Sequence, residues 1–276
     1  VAADLRKYFA RIGYDGDASA SRPTLEAICE LHPAAIPFEN LDPLLRRPPS
    51  LDHDALEAKL LDAGRGGYCF EHNLLLAEVL RTLGFDVTQL AARVLWGAPP
   101  GRVGPRSHML LRVELDGEPV VVDVGFGGLT LTGVLRLQPD VEQTTPHEPF
   151  RLREQDGGYV MEARTNERWG ALYRFDMHEQ LQADYEVSSW FLCTNPKSPF
   201  IQMLMGARTY PGGRHAIRDN VWTIHDGSGI PRRTVLDRPA DLRSVLVETF
   251  GITLPSGNEV DRLIAELASR SADTGA

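Results

Sequence analysis

Lysine is nearly missing from this chain. Of its 276 residues only Lys7, Lys59 and Lys197 are lysines, so arginine carries almost all the positive charge. Acidic side chains still outnumber basic ones, 38 to 29, for a formal net charge of −9. The lack of a basic excess excludes a duplex-binding protein, whose affinity comes from neutralising phosphates. It equally excludes a polybasic membrane-surface protein. Cysteine is scarce as well. Cys29, Cys69 and Cys193 are odd in number and far apart, which excludes a disulfide framework and points to reduced thiols. No apolar run approaches the roughly 20 residues that a membrane-spanning helix needs. The segment Val1 to Lys7 carries charge at once and lacks the charged-then-apolar layout of a secretory signal. The expected location is the cytoplasm.

What is present is an ordinary globular composition, 42% hydrophobic and 24% charged, on a chain long enough for two or three packed subdomains. Residues 1–85 read as helical. Leu5, Tyr8, Phe9 and Ile12 recur at helical spacing before Gly13. A second helix follows Pro23 and is expected to end before Pro33, and Asp52 is placed to cap a third. A stronger helical pattern runs from Cys69 to Leu83 and stops at Gly84, which puts Cys69 at a helix start. Residues 86–186 change to alternating and β-branched runs, with Asp116-Gly117 as a hairpin turn, and predict an antiparallel sheet or barrel. Residues 187–276 are mixed, with strands expected around Trp190, Trp222 and Val235 and helices over 242–250 and 258–269.

The chemistry concentrates on three residues. A thiol reacts as its thiolate, and the unpaired N–H groups at a helix start favour an anion there, so Cys69 is a candidate nucleophile. Gly66 and Gly67 allow a tight approach to that helix, and Arg65 is expected to add positive potential. A cysteine nucleophile needs a base, and the base needs an orienting group. His108 opens one alternating strand. Asp123 closes the next, where an unpaired buried carboxylate would be costly. The hairpin between them puts both at the end away from the turn. A zinc site is weaker: Cys69 and His72 are spaced like half of one, but no second pair exists. His72 reads as a helix residue paired locally, and His32 and the remaining histidines have no constellation around them. Cys29 and Cys193 read as core. Gly125-Phe126-Gly127-Gly128 follows a strand but opens no helix, so it is no dinucleotide fingerprint. It is either an ordinary turn or a set of backbone N–H groups open to an anion such as a CoA pyrophosphate.

These residues resemble the arylamine N-acetyltransferase family. The matching pieces are Ile36 to Leu41, Arg65 to Asn73, Ser107-His108, Asp123 to Gly127, and Ser189 to Phe191 with Asn195 to Phe200. The resemblance implies an α+β fold: an N-terminal helical bundle with the cysteine, a central antiparallel β-barrel with the histidine and aspartate, and a C-terminal α/β lid. The set is arranged as in cysteine proteases. It implies a ping-pong reaction through acetyl-Cys69, with acetyl-CoA as donor, no metal, and arylamines, arylhydrazines or N-hydroxyarylamines as acceptors. It further implies Phe38, Phe126 and Phe200 as acceptor-pocket residues, and Trp96, Gly127 and Gly128 as CoA contacts. Three alternatives stand beside it. One is an amide synthase that releases or cyclises a polyketide from a carrier thioester. Another is a cysteine hydrolase or transglutaminase. The third is a non-catalytic CoA-binding protein, which the intact Cys69, His108 and Asp123 oppose.

Overall fold

The computed structural model describes residues 2–99, 101–227 and 229–271. The N-terminal helices follow their sequence signals. Helix α1 (Leu5–Ile12) starts on Asp4, whose carboxylate accepts from the Lys7 amide, and ends at Gly13 in the left-handed conformation. Helix α2 (Arg22–Ala35) starts on Ser21 with Pro23 in its first turn. It does not end before Pro33 but runs on to Ala35. The N–H that proline lacks would have served only the last turn, and the Ile36 amide still closes that turn on the His32 carbonyl at 2.8 Å. Strand β1 (Phe38–Glu39), helix α3 (Leu41–Leu44) and helix α4 (His53–Glu57), which widens over Ala58–Asp62, lead to helix α5 (Cys69–Thr82). Every residue of α5 from Cys69 to Ala77 is buried. A helix apolar on nearly all sides belongs in the middle of a core, and α5 packs between the other helices and the next layer.

That layer is a sheet of seven antiparallel strands in the order β5-β4-β3-β2-β8-β7-β6. The strands are β2 (Asp86–Val94), β3 (Arg106–Leu115), β4 (Glu118–Val122), β5 (Leu135–Arg136), β6 (Phe150–Gln155), β7 (Gly158–Thr165) and β8 (Arg168–Glu179). Asp116 and Gly117 turn β3 into β4 with φ of 54° and 82°, as a two-residue hairpin requires. The register pairs Leu111 with Val122, so His108 and Asp123 do share the end away from the turn. Gln143 joins the sheet's two edges. Its backbone pairs with Phe150 on β6 while its side chain bonds both backbone groups of Arg136 on β5. The sheet is thereby a nearly closed barrel, filled by residues such as Leu110, Val121, Leu152 and Phe175.

The strand expected around Trp190 is instead helix α6 (Gln182–Thr194). Val187, Trp190 and Phe191 are good strand formers, but the buried residues Tyr185, Ser189, Leu192 and Cys193 recur at helical spacing. A short turn at Pro199–Ile201 precedes strands β9 (Met205–Tyr210), β10 (Gly213–Arg218), β11 (Val221–His225) and β12 (Arg232–Val235). They form an antiparallel sheet whose first strand is β1 from the N-terminal third, with Phe38 opposite Ala207. Helices α7 (Pro239–Ser244), continued by a wide turn at Val245–Thr249, and α8 (Asn258–Ala268) cover it. The fold is thus α+β, with N-terminal helices, a central antiparallel barrel and a C-terminal α/β layer. No helix among the described residues is long and apolar enough to cross a membrane.

The helical form of α6 has a direct consequence. In a strand Trp190 and Leu192 would share a face, whereas here Trp190 is 64% exposed and Leu192 only 4%. Leu192→Ala should cost about 2–5 kcal/mol, and Trp190→Ala should stay within about 0.5 kcal/mol. Urea titration of both variants checks this, and equal losses would argue for a strand.

Candidate active site

The site is built where α5, β3 and the end of β4 meet. Tyr68 precedes α5, and its amide donates to the Glu71 carboxylate at 3.1 Å, which fixes the helix start at Cys69. The approach to that start is squeezed. A Cβ on Gly66 would lie 2.1 Å from the Pro37 carbonyl oxygen, so only glycine fits. Beneath it lies a set of charges, with Glu39, Arg65 and Glu71 buried and Asp42 and Lys59 half-buried. Arg65 pairs with Glu39 at 2.7 Å and Asp42 at 3.0 Å, and Lys59 pairs with Asp42 at 2.7 Å and Glu71 at 2.6 Å. Arg65 is therefore neutralised by its own partners and does not supply the positive potential expected of it.

Cys69 is buried, and its Sγ lies 3.6 Å from the Ser107 carbonyl oxygen. His108 is the next residue along β3, and the Cys69 thiol is among the groups that favour its charged ring. Its Nε2 lies 2.6 Å from Asp123 Oδ2, which leaves Nδ1 as the ring nitrogen for the thiol. Asp123 is fully buried, and each of its oxygens takes two donors. Oδ2 also accepts from the Tyr173 hydroxyl at 2.9 Å; Oδ1 accepts from Asn73 Nδ2 and the Gly125 amide, both at 3.0 Å. Burial alone would raise the Asp123 pKa. His108 and the other donors outweigh it and hold the carboxyl below its ordinary value. Burial would likewise lower the His108 pKa, but the adjoining carboxylate and the thiol push it up to about 10.

Asn73 and Tyr173 were not among the residues expected at the site. Asn73 had a signal: it is the polar residue one helical turn after Cys69 in an apolar run. It ties three elements together, since it also donates to the Met109 carbonyl at 2.8 Å and accepts from the Val124 amide at 3.3 Å. Tyr173 had none, as one more aromatic residue on an alternating strand. Gly125 makes the close packing of β4 on α5 possible, because a Cβ there would lie 2.9 Å from both Cys69 Cα and Asn73 Nδ2.

The remaining expected residues fall in two places. Phe38 and Phe200 meet edge to face at 6.4 Å, with Tyr68 5.5 Å from Phe200. Phe126 lies on the other side, 5.1 Å from both the His108 and Tyr173 rings. All three phenylalanines are half-buried. Gly127 takes a positive φ of 87° and faces the Phe38 ring. Gly128 is exposed, its carbonyl held by Arg214 at 2.7 Å. Trp96 lies apart, 51% exposed beside Gly170 of β8. His72 is paired locally, with the Gly67 carbonyl at 3.0 Å, but it also bonds His32 at 2.8 Å, so His32 is not isolated. Among the described residues no group of three or more His, Cys, Asp or Glu side chains is arranged to hold a metal ion.

A buried cysteine at a helix start, an imidazole kept charged and a fully bonded carboxylate together suit nucleophilic acyl transfer. Known proteins agree with that chemistry. The family model described as N-acetyltransferase matches residues 22–260. The arylamine N-acetyltransferase of Escherichia coli (strain K12) is 41% identical over 270 residues, 96% of this chain and 95% of that protein. The solved structure of the Mycobacterium marinum arylamine N-acetyltransferase in complex with CoA superposes with a TM-score of 0.92 at 38% identity, covering 96% of this chain and 99% of that one. The M. smegmatis arylamine N-acetyl transferase gives 0.93 at 39% identity, covering 98% of this chain and all of that one. Proansamycin X synthase of Amycolatopsis mediterranei (strain S699) is 34% identical over 187 residues, 66% of this chain and 71% of that protein. By fold and by sequence over almost its full length, the chain belongs to the arylamine N-acetyltransferase family.

Proposed function

We propose that this protein transfers the acetyl group of acetyl-CoA to arylamines, arylhydrazines and N-hydroxyarylamines through a thioester on Cys69. The observation that carries the reading is a buried Cys69 against the Ser107 carbonyl, with the next residue, His108, anchored by Asp123. In the first half-reaction the Cys69 sulfur attacks the thioester carbonyl. The bond to CoA breaks, and the imidazolium of His108 gives the departing sulfur its proton. In the second half the acceptor nitrogen attacks acetyl-Cys69. Neutral His108 takes the proton from that nitrogen as the Cys69 sulfur leaves. Asp123 holds the ring so that Nδ1 stays on the cysteine in both halves.

Phe38 and Phe200, with Tyr68 behind them, give an aromatic wall suited to a flat ring, and Phe126 closes the His108 side. Aromatic amines and hydrazines are weakly basic and arrive unprotonated at neutral pH, unlike lysine with a pKa of about 10.4. For CoA we assign the exposed Gly128, its neighbour Gly127 and the half-exposed indole of Trp96. We place the protein in the cytoplasm, in keeping with its three free, buried cysteines. A carrier-thioester amide synthase is the competing reading. The similarity to proansamycin X synthase spans only two thirds of each chain, against nearly all of it for the acetyltransferases.

Acetyl-CoA added without acceptor should acetylate Cys69 alone, as read by peptide mass spectrometry, and Cys69→Ser should lose nearly all turnover. Acetyl on Cys29 or Cys193 would refute the assignment. Rapid transfer from a carrier-protein thioester with acetyl-CoA ignored would favour the amide synthase.

Asp123→Asn should lower turnover by about 1,000-fold or more, since an amide cannot sustain the imidazolium. Without the carboxylate, burial is opposed only by the thiol, and the His108 pKa falls. The pH profile of iodoacetamide inactivation should then lie at higher pH in the variant than in the parent. A parent-like profile in Asp123→Asn would remove Asp123 from the mechanism.

Phe38→Ala should raise the acceptor KM several-fold while slowing acetylation of Cys69 less, because the ring serves the second substrate. Steady-state and single-turnover rates on one arylamine separate the two. Slower acetylation with unchanged acceptor KM would contradict the assignment.

A further inference from the structure

Three fully buried polar side chains run in a line that ends on the Cys69 helix, and the acyl-transfer chemistry uses none of them. They are Tyr8 of α1, His32 of α2 and His72 of α5. The Tyr8 hydroxyl lies 2.8 Å from His32 Nδ1, and His32 Nε2 lies 2.8 Å from His72 Nδ1. His72 Nε2 lies 3.0 Å from the carbonyl oxygen of Gly67, two residues before Cys69.

The protons along this line have one consistent placement. A carbonyl oxygen can only accept, so His72 Nε2 carries a proton. Burial disfavours the charged ring and lowers the His72 pKa to about 4 and that of His32 well below its ordinary value. Both rings are therefore neutral at neutral pH. A neutral His72 leaves Nδ1 as an acceptor, so His32 Nε2 must donate to it. His32 Nδ1 is then an acceptor in turn, and the Tyr8 hydroxyl supplies its donor. The Gly67 carbonyl also accepts from the Glu39 amide at 2.8 Å, so both of its lone pairs are used. The Gly67 amide donates to the Pro37 carbonyl at 3.3 Å, and Phe38 stacks on His72 at 6.4 Å with only 7° between the rings.

We infer that Tyr8, His32 and His72 form a positioning relay that locks the Gly67 peptide, and through it the start of α5, so that Cys69 meets His108. The inference rests on Cys69 being the acylated residue. Rotation of the Gly67 peptide would displace Tyr68 and Cys69, the two residues that follow it, while His108 is held separately by Asp123. A local hydrogen bond would leave that peptide dependent on its own loop. The relay instead ties it to three helices at once and needs both rings in one tautomer.

The test compares His72→Leu, His72→Gln and Tyr8→Phe in the full-length protein, with single-turnover acetylation of Cys69 and the pH profile of iodoacetamide inactivation as readouts. His72→Leu should slow acetylation by about 10- to 100-fold, the scale of a displacement near 1 Å at a reacting group. Its alkylation profile should also move to higher pH. His72→Gln should regain most of that loss and the parent profile, because an amide offers a donor and an acceptor side by side, as a neutral imidazole does. Tyr8→Phe removes one oxygen and should give a smaller loss in the same direction. A folded His72→Leu that only melts earlier, with the parent's rate and profile, would overturn the relay. So would a His72→Gln no better than His72→Leu. If His72→Leu does not fold, Tyr8→Phe decides by the same two readouts, a parent rate and profile counting against the relay. Should the parent itself fail to acetylate Cys69, the proposed function fails, and the alkylation profile still decides the relay.

Discussion

The carboxylate of Asp123 is the constraint on which the rest of the site depends. A carboxylate removed entirely from water is tolerated only when its lone pairs are filled, and here four donors fill them. These donors come from separate parts of the chain: Asn73 from α5, His108 from β3, Tyr173 from β8 and the Gly125 amide from the segment after β4. None can move without leaving a buried charge short of a partner. One anion thus fixes where the helical layer and the barrel sit against each other. The same anion makes His108 basic, so the structural requirement and the one the proposed mechanism makes are a single interaction.

Cys69 gains its position from that arrangement and from the packing around it. It shares a helix with Asn73, one turn away, so the bond from Asn73 to Asp123 also sets how far Cys69 stands from His108. Gly125 and Gly66 remove the side chains that would hold the layers apart. The buried ion pairs of Lys59 and Arg65 hold the segment before α5 from below, and the line from Tyr8 to His72 holds it from the side. The thioester proposed on so enclosed a sulfur would be shielded from water, which suits transfer to an amine over hydrolysis.

Much of this was legible in the sequence. The Cys69 helix start, the Asp116-Gly117 hairpin and the shared end of His108 and Asp123 follow from periodicity and turn chemistry. What was not legible depends on long-range contact. Trp190 looked like strand because local residue preferences favour one, and the burial of Tyr185, Ser189, Leu192 and Cys193 at helical spacing, against Tyr68 among others, overrides them. Tyr173 and the His32–His72 pair gave no signal, because their partners lie 50 and 40 residues away along the chain. Arg65 misled for a related reason, since its neutralising partners, Glu39 and Asp42, come from an earlier segment.

The protonation of His108 tests the central claim most directly. With the histidine ring nitrogens labelled, nuclear magnetic resonance across a pH titration reads the charge of each imidazole. If the saturated Asp123 carboxylate governs the site, both His108 nitrogens stay protonated through neutral pH and the ring loses its charge near a pH of about 10. A His108 already neutral below the ordinary histidine value of about 6.5 would contradict the account, because burial would then outweigh the carboxylate.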